Sequence, residues 1–249
     1  MCGRYAAAKD PATLAAEFDA HDGTEDHAPP ADHNVAPTKD VVTVVQRHPR
    51  DEDGNADASR TERSLRVMRW GLIPAWAKDR SIGARMINAR SESAATSNAF
   101  KTSLAKRRCL LPADGWFEWK KEGGHKQPFF MTRTDGHSLA MAGLWTVWRD
   151  PKESDGPPVV SAAVLTAAAQ GPLAEIHDRM PLLMGPEHWA AWLDPDAEDP
   201  GDLLTPSLDL VEALELRPVS SKVNNVRNNG PELVAREEPV TELDDPKLF

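Results

Sequence analysis

Residues 109–148 read CLLPADGWFEWKKEGGHKQPFFMTRTDGHSLAMAGLWTVW, and this stretch decides the fold. Leu110–Pro112, Trp116–Lys120, Phe129–Thr132 and Leu139–Trp148 are strand-length apolar runs rich in aromatic residues. The turn formers Glu122-Gly123-Gly124 and Asp135-Gly136 lie between them and predict hairpins. Downstream, Val159–Thr166 is another β-branched run, a short helix starts at Gly185-Pro186, Ser207–Leu214 reads as a helix and Leu216–Val219 as a late strand. Upstream, Val41–Gln46 and Ser64–Trp70 read as strands, and Ser91–Leu104 as a helix or helix pair. Asp10-Pro11 opens a helix running to about Ala20, with Asp10 as its N-cap. Strand and helix do not alternate regularly and no glycine-rich phosphate loop follows a strand, which disfavours a doubly wound sheet. The expectation is an α+β fold: a curved, mainly antiparallel sheet or barrel with peripheral helices. A single domain is expected over 1–230, with a polar surface insertion at 47–63 and a flexible acidic tail at 231–249.

The chain has 249 residues, enough for a substantial core. No apolar run suggests a signal peptide or a membrane span. Only Cys2 and Cys109 are present, which argues for a reducing cytoplasm and against a disulfide scaffold. Two cysteines and eight scattered histidines do not make a metal site, so neither metal nor cofactor is expected. A net charge of -10 ordinarily counts against nucleic-acid binding. The acid is concentrated in segments such as 19–32, 51–57, 150–155 and 194–202, a pattern suited to a high-salt cytoplasm. Basic residues cluster elsewhere, at Arg80, Arg85 and Arg90, at Lys101 to Arg108, and at Lys120, Lys121 and Lys126.

Several polar positions within apolar segments are candidates for chemistry, and each has a plainer structural reading. Trp70 and Trp76 are suited either to stacking on bases or to core packing. Asn88 and Arg90 suit either loop hydrogen bonds or a phosphate. Glu118 shares a strand face with Trp116, where desolvation would raise its pKa, or it pairs with Lys120 or Lys121. His177, in Ile176-His177-Asp178-Arg179-Met180-Pro181, is a proton shuttle or a structural histidine. The run Pro218–Asn228 offers amides and cations to a nucleic acid, or forms an Asn-rich turn. At the other end, Cys2 follows the initiator methionine. Loss of Met1 would leave an α-amine, pKa about 8, and a thiol, about 8.5, on one residue. Such a 1,2-aminothiol condenses with an aldehyde to an imine and closes to a thiazolidine. Any chain must have some second residue, so Cys2 alone assigns nothing.

The ordered set is far more specific than any member. Met1-Cys2-Gly3-Arg4-Tyr5, Asn34-Val35-Ala36-Pro37, Trp70-Gly71-Leu72-Ile73-Pro74 and Asn88-Ala89-Arg90 are followed by Arg108-Cys109-Leu110, Asp114 to Trp119, and Gln127-Pro128-Phe129. Ala142-Gly143-Leu144-Trp145, Ile176 to Pro181 and Pro218 to Asn225 complete the series. In these motifs and their order the chain resembles the SOS-response-associated peptidase (SRAP) family. The resemblance implies a sensor of abasic sites in single-stranded DNA that forms a covalent thiazolidine crosslink through Cys2 once Met1 is removed. It implies that Glu118 assists Met1 removal and moves protons, that Asn88 orients the terminus, and that His177 assists sugar-ring opening. Arg4, Asn34, Trp70, Pro74, Trp76, Arg90, Lys222 and Asn225 would hold the DNA. A cytoplasmic monomer that associates with the nucleoid at damage, with autoproteolytic and possible lyase activity, follows from the same likeness. Two rivals are an N-terminal nucleophile hydrolase of glutamine amidotransferase type, whose glutamine-binding motifs are missing, and a non-catalytic single-strand binding module. The second predicts no covalent product and no effect of Cys2→Ala.

Overall fold

The uninterrupted apolar character of Leu139–Trp148 has a direct cause: nearly every residue of that strand is buried, on both faces. A computed structural model, describing residues 2–153 and 155–237, shows how this arises. The chain forms β1 (Tyr5–Ala7), α1 (Pro11–Phe18), β2 (His21–Asp22), β3 (Asp32–Val35), β4 (Asp40–Arg47), β5 (Glu62–Trp70) and β6 (Asn88–Arg90). There follow α2 (Ser91–Ala94), α3 (Lys101–Lys106), β7 (Arg108–Ala113), β8 (Gly115–Glu122), β9 (His125–Arg133), β10 (Leu139–Trp148) and β11 (Val159–Ala168). The last elements are β12 (Arg179–Pro181), α4 (Pro186–Leu193), α5 (Leu208–Glu212) and β13 (Leu214–Pro218).

Two sheets result. A five-stranded sheet has the order β13-β9-β8-β1-β3. The larger sheet runs β12-β11-β10-β7-β4-β5-β2, and β11 also pairs in parallel with β5 at Ser161↔Arg69 and Ala162↔Trp70, so its middle strands curl into a ring. Val41, Val45, Met68, Trp70, Cys109, Leu111, Met141 and Val164 belong to one core cluster, which also takes in Cys2, Tyr5 and Trp116. A second cluster holds Leu110, Leu144, Leu165 and Trp192, with Leu14 and Phe18 of α1 and Leu104 of α3. The expected antiparallel, curved sheet with peripheral helices is therefore observed.

Local chemistry explains the element ends. Asp10 caps α1 by accepting from Thr13 N–H, and Pro11 occupies the first turn. The two-residue turn Gly123-Gly124 has positive φ at both positions and joins β8 to β9 in a tight hairpin. At Gly71, φ is +124° and a Cβ would lie 2.5 Å from the Gly83 carbonyl oxygen, so two backbones meet where only glycine fits.

Two expectations need correction. Asp135-Gly136 does not close a hairpin: β9 pairs with β8 and β13, whereas β10 pairs with β7 and β11, so this turn carries the chain from one sheet to the other. A turn signal fixes local direction, while partner choice depends on burial across the whole fold. The start of the expected tail is also packed. Leu233 is fully buried, Val234 packs against the cluster of Val219 and Phe117, and Glu237 N–H donates to the Pro218 carbonyl at 2.9 Å. The ordered domain thus reaches 237, and residues 238–249 lie outside the described residues. Residues 48–61, between β4 and β5, are largely exposed and carry one isolated bridge, Arg50↔Ala56.

Candidate active site at the amino terminus

The fold brings the first residues into its centre. β1 lies between β3 and β8, pairing Tyr5 with Val35 and Trp116, and Phe117 N–H donates to the Arg4 carbonyl at 2.9 Å. Cys2 is fully buried beside the face of β8 that presents Trp116 and Glu118. β6 runs parallel to β11 with Asn88 opposite Val164, and Asn88 Nδ2 donates to the Cys2 carbonyl at 2.8 Å. That bond is to Cys2's own carbonyl, so it fixes the residue and does not polarise the Met1–Cys2 peptide bond. Glu118 and His177 both line a narrow crevice, with Trp116, Ile176, Arg179 and Met180. Cys2, Asn88, Glu118 and His177, far apart in sequence, therefore converge.

The electrostatics follow from burial. Glu118 is 3% exposed, and burial pushes its carboxyl up to about 7. Burial, with Glu118's negative charge beside it, pushes the Cys2 thiol well above its ordinary value, so the sulfur is a neutral thiol at neutral pH. Burial depresses His177 below an ordinary imidazole. His177 Nδ1 accepts from Arg179 N–H at 3.0 Å, which requires an unprotonated nitrogen. Asp178 Oδ1 lies 2.8 Å from the same nitrogen, a distance that favours protonation. Burial is the larger influence, so the ring is held toward its neutral form.

Two residues without an assigned role in the sequence complete this region. Arg179 makes a bidentate pair with Glu92, at 2.6 and 2.9 Å, and donates to the Thr166 carbonyl at 2.6 Å. This ties the His177 segment to α2. The available signal was spacing: Arg179 stands two residues from His177 on an extended segment, and such residues share a face.

The candidate DNA contacts divide sharply. Trp76 is 59% exposed, and Arg90, Lys222 and Asn225 are exposed as well. Trp70 is not available for stacking. It is fully buried, meets Tyr5 edge-on at 5.0 Å and donates its indole N–H to the Ile87 carbonyl at 3.0 Å. Asn34 is likewise buried, its amide nitrogen bonded to the carbonyls of Val223, Asn225 and Asn228 at 3.0–3.3 Å, so it anchors the 223–228 turn from within. Pro74 is buried beneath its loop. Arg4 has one end committed inside, donating to Asn34 Oδ1 at 2.6 Å and the Val223 carbonyl at 2.9 Å, and lies 5.8 Å from the centroid of Trp119. Buried tryptophan and asparagine look the same in sequence as exposed ones, and only the fold separates them.

A ringed sheet that holds the second residue of the chain against a buried glutamate, an asparagine and a histidine defines a class. The profile of the SOS response associated peptidase (SRAP) family matches residues 1–226, and the chain belongs to that family. It is 34% identical over 244 residues to abasic site processing protein YoqW of Bacillus subtilis, covering 94% of this chain and 99% of that one. It is 35% identical over 240 residues to abasic site processing protein YedK of Escherichia coli, again covering 94% and 99%. With abasic site processing protein HMCES of Gallus gallus the identity is 34% over 199 residues, covering 71% of this chain and 58% of that one. A crystal structure of a protein from Bacteroides thetaiotaomicron shares the fold, with a TM-score of 0.77 at 21% identity over 95% of this chain and all of that one. A second, from Bordetella bronchiseptica, gives 0.68 at 28% identity, covering 88% and 100%.

Proposed function

We propose that this protein processes abasic sites in single-stranded DNA by forming a covalent crosslink through Cys2 after Met1 is removed. The observation that carries this reading is the placement of Cys2: buried, held by Asn88 through its carbonyl, and beside a glutamate whose carboxyl stands at about 7. Three of the relatives are named as abasic site processing proteins, which supports the same substrate.

Hydrolysis of the Met1–Cys2 bond consumes one water and frees the Cys2 α-amine. Glu118 serves as the base that activates that water. The amine, pKa about 8, then attacks the aldehyde carbon of the opened sugar, and loss of water gives an imine. His177 moves the proton that opens the sugar ring. The Cys2 sulfur adds to the imine carbon, forming the C–S bond, while the thiol proton passes to the nitrogen. A carboxyl near 7 is suited to that relay, because it accepts and returns a proton at little cost near neutral pH. Trp76, Arg90, Lys222 and Asn225 form the outward surface that meets the strand. Arg4 and Asn34 shape it from beneath.

The test is a denaturing gel with uracil-containing single strands treated with uracil glycosylase, after intact mass has shown whether Met1 is absent. A heat-stable protein–DNA band that disappears with Cys2→Ala is expected, and an undiminished band with Cys2→Ala sinks the reading. The initial, non-covalent association should weaken steeply with salt, as phosphate contacts do, while the finished crosslink should not.

A further inference from the structure

The ringed sheet has a second end. The proposed crosslinking residues lie toward the C-terminal part of β11, where Val164 to Thr166 pair with Asn88 to Arg90. Toward its N-terminal part, Trp145 of β10 stands opposite Ala162. Two guanidinium groups sit on that indole: the Arg47 carbon is 4.9 Å from a ring centroid and the Arg107 carbon 5.5 Å. Arg47 ends β4 and Arg107 immediately precedes β7, and those strands are paired, so the fold delivers both charges to one place. Their centres lie within about 10 Å of each other.

Neither group has a carboxylate partner among the described residues. Glu62, directly across from Arg47 on β5, gives its carboxylate to Arg60 at 3.3 Å. Arg107 has one weak side-chain bond, to Thr146 Oγ1 at 3.4 Å. Besides burial, the influences on Arg47 are the positive charges of Arg107, Arg50 and Arg66. In a chain with 39 acidic and 29 basic residues, two arginines without a carboxylate partner among the described residues, with Arg50 and Arg66 also near Arg47, are a local concentration of positive charge. Their guanidinium groups are braced on Trp145, which pre-organises the forks while their N–H edges remain able to donate, the geometry that recognises phosphate oxygens. Trp145 is 5% exposed, so no base stacks on it and the site reads backbone alone. The exposed Trp76 belongs to a loop fastened at this same end: Ile73 N–H donates to Ser161 Oγ, and Trp148 donates its indole N–H to the Ala77 carbonyl, both at 2.8 Å.

We infer that Arg47 and Arg107 form a second phosphate-backbone site, which holds nucleic acid flanking the lesion at the end of the ring away from Cys2. This rests on the proposed function, because it names the partner of the same reaction. From Thr166, opposite Arg90, to Ala162, opposite Trp145, is roughly 13 Å along β11, so the strand must run a few nucleotides past the lesion to reach the site.

The experiment compares a long single strand bearing a central abasic site with an abasic trinucleotide, using wild type, the double substitution Arg47→Gln/Arg107→Gln, and Arg47→Lys/Arg107→Lys. Glutamine keeps a polar amide of shorter reach and removes the charge. Attachment to the long strand should slow about tenfold at low salt in the glutamine variant, and its log–log salt slope should flatten by about 1.4, the value for two phosphate contacts on a single strand. The trinucleotide rate should be unchanged, and the lysine variant should recover the slope. Equal slopes for wild type and the glutamine variant overturn the inference, as does an equal loss on the trinucleotide, which would mark a structural role. Competition by inorganic phosphate at the oligonucleotide's own affinity also overturns it, in favour of a small-anion site. Anisotropy with an undamaged long strand reads the arginine contribution without any covalent step. A protein that never crosslinks yet keeps an arginine-dependent slope therefore refutes the proposed function alone.

Discussion

Replacing Glu118 with glutamine should stabilise the protein above neutral pH while disabling lesion capture. Burial at 3% exposure lifts this carboxyl from 4.5 to about 7. In the unfolded chain it ionises in water near the lower value. As pH rises between the two, the unfolded chain releases the proton and the folded one resists, so folding stability falls. This penalty is absent below 4.5 and complete above about 7. That interval, at about 1.4 kcal/mol per pH unit, amounts to about 3 kcal/mol. Glutamine has nearly the same shape and no charge to desolvate, so it escapes the penalty. In a chain of this length each kcal/mol corresponds to about 2–4 °C in melting temperature. Calorimetry should therefore show the variant melting about 6–12 °C higher near pH 8, with the advantage gone near pH 4.5. The capture rate of the wild type should bend near pH 7, and the variant should lose both the bend and most of the rate. An equal melting shift at both pH values, or a lower melting point near pH 8, would refute this account of the carboxyl.

Three other substitutions test separate parts of the argument. Asn88→Ala removes the 2.8 Å bond that holds Cys2, and should cost about 1 kcal/mol in urea unfolding while slowing capture at least tenfold; an unchanged rate shows that Asn88 does not position the terminus. Leu233→Ala deletes a fully buried side chain beyond the 1–230 boundary expected from sequence. It should cost about 2–4 kcal/mol by denaturant titration, and a cost near zero means that residues 231–237 do not belong to the folded unit. Gly71→Ala forces a Cβ to within 2.5 Å of the Gly83 carbonyl at a φ of +124°; a loss above about 2 kcal/mol is expected, and unaltered stability refutes the close approach.

The residues that were easy to read in sequence share a property: their information is local. The Asp10 cap, the Gly123-Gly124 hairpin and the period-two faces that set Glu118 beside Trp116 depend on neighbours a few positions away, and all three are present in the structure. What could not be read depends on partners far along the chain. Trp70 and Trp76 sit six residues apart in one motif, yet one is sealed under Tyr5 by ring closure between β5 and β11 and the other faces solvent. Asn34 was indistinguishable from a base-reading amide until its three carbonyl acceptors, 189 to 194 residues away, were in place. The Arg179–Glu92 pair spans 87 residues and the Arg47–Trp145–Arg107 stack 38 to 98, so no short motif announces them. A motif therefore indicates which side chains have the right chemistry, and burial decides which of them face solvent. The exposed set that survives this division is Trp76, Arg90, Lys222 and Asn225. It lies apart from the buried Cys2 and Glu118 and the half-buried Asn88, which the proposed function assigns to the chemistry. Recognition and chemistry thus require opposite environments. A surface substitution such as Trp76→Ala should weaken strand binding without moving the pH at which capture bends, whereas Glu118→Gln should do the reverse.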